Sequence, residues 1–166
     1  ILSKTTAIDP KENAGSLHNR LMALGCEAVV ETLAQIQNGS VVTTLQTDTP
    51  DIKTAYKLNK ENCKLDFSRT GIELYNQIRG LSPYPAAWCM VKDGEQEWNL
   101  KIYATEWEPI DHNEKIGSWL TSKKAIKIAV HGGYLNLTRL QFPGKKQMTA
   151  NEVLNGTKFS ENAIAF

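Results

Sequence analysis

Two prolines, in Ser82-Pro83-Tyr84-Pro85, divide this chain into a stretch that reads as helix and a stretch that reads as sheet. Proline has no N–H to donate and its ring fixes φ, so a helix arriving at this point has to stop. Beyond it the apolar residues form short runs or alternate. Ala86–Val91 and Trp98–Trp107 flank a turn near Asp93-Gly94, the pattern of a hairpin. In the second run Trp98, Leu100, Ile102 and Ala104 alternate with more polar neighbours. Ile116–Leu120, Ala125–Val130 and Tyr134–Phe142 are further strand candidates, separated by Ser122-Lys123-Lys124 and His131-Gly132-Gly133. About five short strands in such a span predict a small barrel or sandwich. Closing the sheet hides its edges. A Thr149-x-x-Glu152 capping box then opens a short helix to Leu154 that would plug or flank the barrel.

The helical part begins with Ser16–Gln37. Leu17, Leu21, Leu24, Ala28, Val29, Leu33 and Ile36 recur there at helical spacing on one face. Asn13 suits the N-cap and Gly39 a left-handed stop. So long an apolar stripe needs a sizeable packing partner, and Ile1–Ile8 supplies at most one strand. The helix therefore reads as the last element of a domain whose body lies elsewhere. Asn38–Ser68 is rich in Thr, Asn, Asp and Lys and has no sustained period, which suits an extended linker. A linker of that length is uncommon inside a compact domain, so a domain boundary is expected there. Thr70-x-x-Glu73 is a second capping box, and Ile72, Tyr75 and Ile78 line one side of the helix that follows.

The 166 residues suit one domain or two small ones, with the composition of an ordinary globular protein. No apolar run approaches the roughly 18 residues that span a bilayer. Cys26, Cys63 and Cys89 are odd in number and far apart, which fits neither a disulfide framework nor a zinc cluster. A cytoplasmic setting, no metal and a monomer are expected. Net charge is only +1, but its distribution is uneven. Lys92–Glu114 holds two lysines against seven acids, and Lys115–Lys158 eight bases against Glu152 alone. That asymmetry is either the basic face that meets a polyanion or a mixed solvated surface.

The sequence offers no reactive centre. His18, His112 and His131 have no Cys, Ser or paired carboxylate at triad or metal-ligand spacing, and read as surface or packing residues. The cysteines read as small buried apolar residues. His131-Gly132-Gly133 reads as a β-turn rather than an anion loop, since no strand-loop-helix context surrounds it.

Several segments are distinctive as motifs. They are Tyr56-Lys57-Leu58-Asn59-Lys60-Glu61, Leu65-Asp66-Phe67-Ser68, Ile78-Arg79-Gly80-Leu81-Ser82-Pro83-Tyr84-Pro85-Ala86-Ala87-Trp88, Pro143-Gly144-Lys145-Lys146-Gln147-Met148 and Asn155-Gly156. In order and spacing they resemble the C-terminal part of the methionyl-tRNA formyltransferase family. Two departures stand out: the spacing to Lys57 is one residue short, and Tyr84 stands where the family commonly has tryptophan. Gly15–Gly25 resembles the last helix of the family's folate-binding, Rossmann-like domain.

The resemblance implies an α+β, mainly β chain: a Rossmann-domain remnant at 1–39, a linker at 40–68, and a small OB-like open β-barrel at 69–166. It implies transfer of a formyl group from 10-formyltetrahydrofolate to the methionyl amino group of initiator tRNA in translation initiation. The family's catalytic Asn, His and Asp lie upstream of Ile1, so no catalytic residue is assigned here, and this part alone is expected to be inactive. What remains is tRNA binding, assigned to Lys145, Lys146, Arg79, Lys60, Lys57, Arg139, Lys123 and Lys124. Lysines and arginines on a barrel can position a phosphate backbone without reading its sequence. Pro143-Gly144 would hold out Lys145 and Lys146, whereas Arg79 can equally cap carbonyls or pair with an acid. Trp88, Trp98 and Trp119 are read as core rather than stacking platforms. The alternatives are the tail of a sugar-nucleotide formyltransferase, a stand-alone OB-type nucleic-acid binder, or a barrel that only buttresses a catalytic domain.

Overall fold

The computed structural model describes residues 1–46 and 52–166. The chain divides into two compact units, Ile1–Lys57 and Leu58–Phe166. Part of the expected linker, residues 47–51, lies outside the described residues. Among the described residues no helix is long and apolar enough to cross a membrane.

The first unit is built on α1 (Ala14–Gln37). Asn13 caps it, its Oδ1 accepting from the Ser16 N–H at 2.9 Å, and Gly39 follows the C-cap at φ +67°. The N-terminal segment is clipped to the helix by polar contacts. Lys4 pairs with Glu27 and Glu31, and the Arg20 guanidinium donates to Glu12, to Thr6 Oγ1 and to Ala7 O. Arg20 holds the Glu12 carboxyl down at about 2. None of the helix is buried within the unit. Leu21, Val29, Leu33 and Ile36 stay between 48 and 59 % exposed. Cys26 is also exposed, unlike Cys63 and Cys89, so only two of the three cysteines are the buried apolar residues expected.

The second unit opens with residues that the sequence places in the linker. Cys63 and Leu65 are buried in the core, the Leu65 N–H donates to Trp88 O at 2.8 Å, and the Trp88 N–H donates to Cys63 O at 3.1 Å. Residues 58–68 thus run beside the barrel. Their polar composition hides this, because only two side chains in the segment turn fully inward. Next comes α2 (Gly71–Leu81), capped by the Glu73 carboxylate, which accepts from the Thr70 N–H and hydroxyl. Its buried face is Gly71, Leu74, Ile78 and Leu81 rather than the expected line through Ile72, which is 45 % exposed. Gly71 accounts for the rotation. Its missing side chain lets the Trp107 ring press against the first turn and sets which side faces inward.

The strands are β1 (Ala87–Asp93), β2 (Gln96–Glu108), β3 (Trp119–Thr121), β4 (Ile126–Val130), β5 (Gly133–Gln141), β6 (Met148–Thr149) and β7 (Ile164–Ala165), with α3 (Ala150–Gly156) between the last two. The order across the sheet is β3-β4-β5-β2-β1-β7, all antiparallel. The ends of that row meet. Trp119 N–H donates to Ala163 O, Ala165 N–H donates to Gly117 O, and Ser118 bridges Ile164. The result is a nearly closed, mainly β barrel. Alternation puts Val91, Leu100, Ile102, Ile126, Ile128, Leu135 and Leu137 inside, and a register shift between β2 and β5 brings Leu140 in as well, with Trp119 among them. Burying a side chain of this kind stabilises by about 1.5–3 kcal/mol, which is why strands as short as β3 and β4 hold. α3 flanks the barrel through buried Ala150 and Val153, and Thr149 and Glu152 form the expected capping box.

Candidate nucleic-acid interface

The Pro143-Gly144 corner is built from both sides. Phe142 meets Trp98 edge-on at 5.7 Å and stacks on Phe159 at 6.2 Å, anchoring the end of β5. Gly144 takes φ +70°, and the Lys145 N–H turns back to Phe142 O at 3.1 Å. On the outer face the Tyr103 hydroxyl donates to Gln141 Oε1, and Gln141 Nε2 donates to Lys145 O, both at 2.7 Å. The main chain under Lys145 is thereby held, while the side chains of Lys145 and Lys146 are exposed.

Arg139 joins them. It pairs with Thr149 in register, and both Arg139 and Lys146 act on Glu152. The Glu152 carboxyl is held below the usual range chiefly by the Thr149 N–H and hydroxyl, with the two cations adding to this. Lys123 and Lys124 are exposed on the β3–β4 turn, which joins Thr121 to Ile126. β4 leaves β5 at Leu137, and β6 takes over that edge at Arg139, because the other edge is already occupied by β2. Arg139, Lys145 and Lys146 thus share one end of β5, and Lys123 and Lys124 lie on the turn before Ile126, which pairs with Leu137 of the same strand.

The other three are placed differently. Lys60 lies 5.4 Å from the centre of the Trp88 ring, and its carbonyl accepts from Trp88 Nε1 at 2.7 Å. Arg79, on α2, donates to Asn76 Oδ1 and lies over Tyr75 at 6.0 Å, so it has protein partners of its own. Lys57 ends the first unit and is exposed.

Charge is sorted along β5. At its Tyr134 end, Glu106 accepts from Asn136, and Glu108 accepts from Lys127 Nζ. Lys92 pairs with Glu97 at 3.5 Å, so two lysines of the barrel are matched by acids of the barrel itself. At the Gln141 end Arg139, Lys145 and Lys146 stand near Glu152, while Glu97, farther along β2 on that side, is taken by Lys92. One basic residue is missing from the sequence assignment. Lys101 stands opposite Trp88 on one side and Gln141 on the other, on the outer face between buried Leu100 and Ile102. The alternation of β2 shows that it points outward, but only the strand order reveals its neighbours.

The histidines serve packing and surface. His112 Nε2 lies 3.0 Å from Val130 O and 2.9 Å from Gly133 O, its Nδ1 accepts from the Glu114 N–H, and its ring lies against Tyr134 at 4.5 Å. Only the Nε2-protonated imidazole satisfies these contacts, so it latches the loop after β2 to the β4–β5 turn. His18 and His131 are exposed. Among the described residues no three His, Cys, Asp or Glu side chains gather as metal ligands.

Residues 57–158 match the model of the formyl transferase C-terminal domain. The chain belongs to that family. Its barrel is the OB-like formyltransferase C-terminal domain. Proteins named methionyl-tRNA formyltransferase are similar along its whole length. That of Flavobacterium psychrophilum is 58 % identical over all 166 residues, which span 52 % of the relative. That of Flavobacterium johnsoniae is 53 % identical over all 166 residues and 53 % of its own length. A more distant relative from Phocaeicola vulgatus is 39 % identical over 91 % of this chain. The chain spans about half the length of the curated relatives it matches.

Proposed function

We propose that this chain is the tRNA-holding, C-terminal portion of a methionyl-tRNA formyltransferase. In this reading the whole enzyme moves a formyl group from 10-formyltetrahydrofolate to the methionyl amino group of initiator tRNA, in the cytoplasm. The co-substrate and the reacting groups belong to the part of the relatives that this chain does not span. The observation that carries the reading is the basic corner of Arg139, Lys145 and Lys146 at the end of β5, where two of these cations act on Glu152, and the exposed Lys123 and Lys124 of the β3–β4 turn are assigned with it. The relatives' names supply the substrate, and the corner supplies a physical reason for a polyanion to bind here. The assignment of residues 1–39 to the catalytic domain is supported by the exposed apolar stripe of α1.

The test is salt dependence. Each phosphate neutralised by a side chain releases counterions, so affinity for initiator tRNA falls steeply as salt rises. Replacing Lys145 and Lys146 together with alanine flattens the plot of log affinity against log salt by up to about two units. A parent slope near zero supports the buttress reading instead. In the same preparation, formylation of methionyl-tRNA supplied with 10-formyltetrahydrofolate stays at the uncatalysed level. Turnover by the 166-residue chain would overturn the division of labour.

A further inference from the structure

A second patch on the barrel carries chemistry that the basic corner does not explain. Tyr84 is 87 % exposed, a large aromatic presented to solvent between two prolines. It lines a cleft with Leu58, Lys60, Trp88, Asn99 and Lys101. One side of this cleft is rigid, because Trp88 is fixed by its bond to Lys60 O and flanked by Lys60 and Lys64 at 5.4 and 5.7 Å. A neighbouring cleft, lined by Asn99, Lys101, Gln141 and the Phe142-Pro143-Gly144 corner, shares Asn99 and Lys101 with the first. Lys101 therefore stands between the aromatic cleft and Lys145. Among the described residues neither Lys60 nor Lys101 forms an ion pair.

We propose that this cleft holds an unpaired nucleotide of the bound RNA, its base against Tyr84 and Trp88 and its phosphates on Lys101 and Lys60. The inference rests on the tRNA-binding reading and adds a subsite to it. Three features select this occupant. Exposed aromatic faces take unstacked bases, which a duplex does not offer. Lysines beside them supply the charge that a polyanion needs. An extended peptide adding a strand is disfavoured, because at Trp88 and Lys101 both edges of β1 and of β2 already carry partners. Trp88 is half-buried and packs against the core cluster, as expected, and the proposal gives its remaining surface a second use.

The experiment measures binding of an initiator tRNA transcript by the 166-residue chain across a salt series. Tyr84→Ala weakens binding at least about five-fold and leaves the salt slope unchanged, since stacking releases no counterions. Tyr84→Phe retains parent affinity, because the ring face is kept. Lys101→Ala weakens binding and flattens the slope by about 0.7, the value for one phosphate of a single strand. Parent-like binding by both Tyr84→Ala and Lys101→Ala, with the Lys145/Lys146 variant impaired, overturns this subsite and leaves the corner standing. Absence of tRNA binding by the parent overturns both. Displacement by polyglutamate as effective as by a single-stranded oligonucleotide overturns the nucleotide assignment and points to an acidic peptide.

Discussion

Gly133→Ala is expected to lower the melting temperature of the β unit by more than about 12 °C, corresponding to about 3 kcal/mol at the shift usual for a domain near this size. A Cβ at residue 133 would lie 2.0 Å from the Glu108 carbonyl oxygen and 3.0 Å from its carbon, with the Trp107 ring at 2.9 Å. Two of these atoms are backbone, and Glu108 is paired with Tyr134 in the β2–β5 ladder. Relief therefore requires separating the two central strands at that end. The φ of +154° adds strain of its own. Overpacking alone costs about 1–3 kcal/mol, and backbone strain adds to it. Gly94→Ala is the control. Its φ is +59° but nothing lies within 4 Å, so the cost is the left-handed backbone alone, about 1–2 kcal/mol. Melting followed by near-ultraviolet circular dichroism separates the two. Equal shifts for both variants would show that the close approach at Gly133 is not what holds this region.

Ending the chain at Ser160 is expected to abolish the cooperative unfolding transition, or to shift its midpoint far down, and to make the protein self-associate. β7 is only two residues long, yet it lies between β1 and β3. Removing it breaks the bonds from Trp119 N–H to Ala163 O and from Ala165 N–H to Gly117 O, and both bonds between Met90 and Phe166. It also removes buried Ala163 and Ala165 from the core. Each lost hydrogen bond costs about 0.5–1.5 kcal/mol net, and more where its partner stays buried. The edge of β1 then presents unpaired groups that recruit another chain. Guanidinium unfolding and sedimentation velocity read the two effects. An unchanged midpoint in a monomeric truncated chain would show that the barrel closes without β7.

The two variants act on features of different legibility. The proline corner, the period-two runs and both Thr-x-x-Glu boxes are local, and each appears in the structure where local chemistry puts it. β7 has no such signal, since two residues cannot show a period, and Ile164–Ala165 become a strand only because two edges await them. The buried stripe of α2 lies one notch round the helix from the line through Ile72, because the residue that orients it is a glycine pressed by Trp107 from β2. At the interface, Lys145 and Lys146 follow from the Pro-Gly corner, whereas Lys101 is an ordinary outward lysine until strand order sets Trp88 and Gln141 beside it.

By itself the sequence determined where helices stop, which runs become strands, and that bases accumulate after Glu114. These depend on backbone chemistry and spacing within a few residues. Tertiary structure alone decided which bases share a face, that β7 closes the sheet, and that two aromatics and two lysines form one cleft. Those are matters of proximity between residues far apart in the chain, set by strand order and by the burial of a common core.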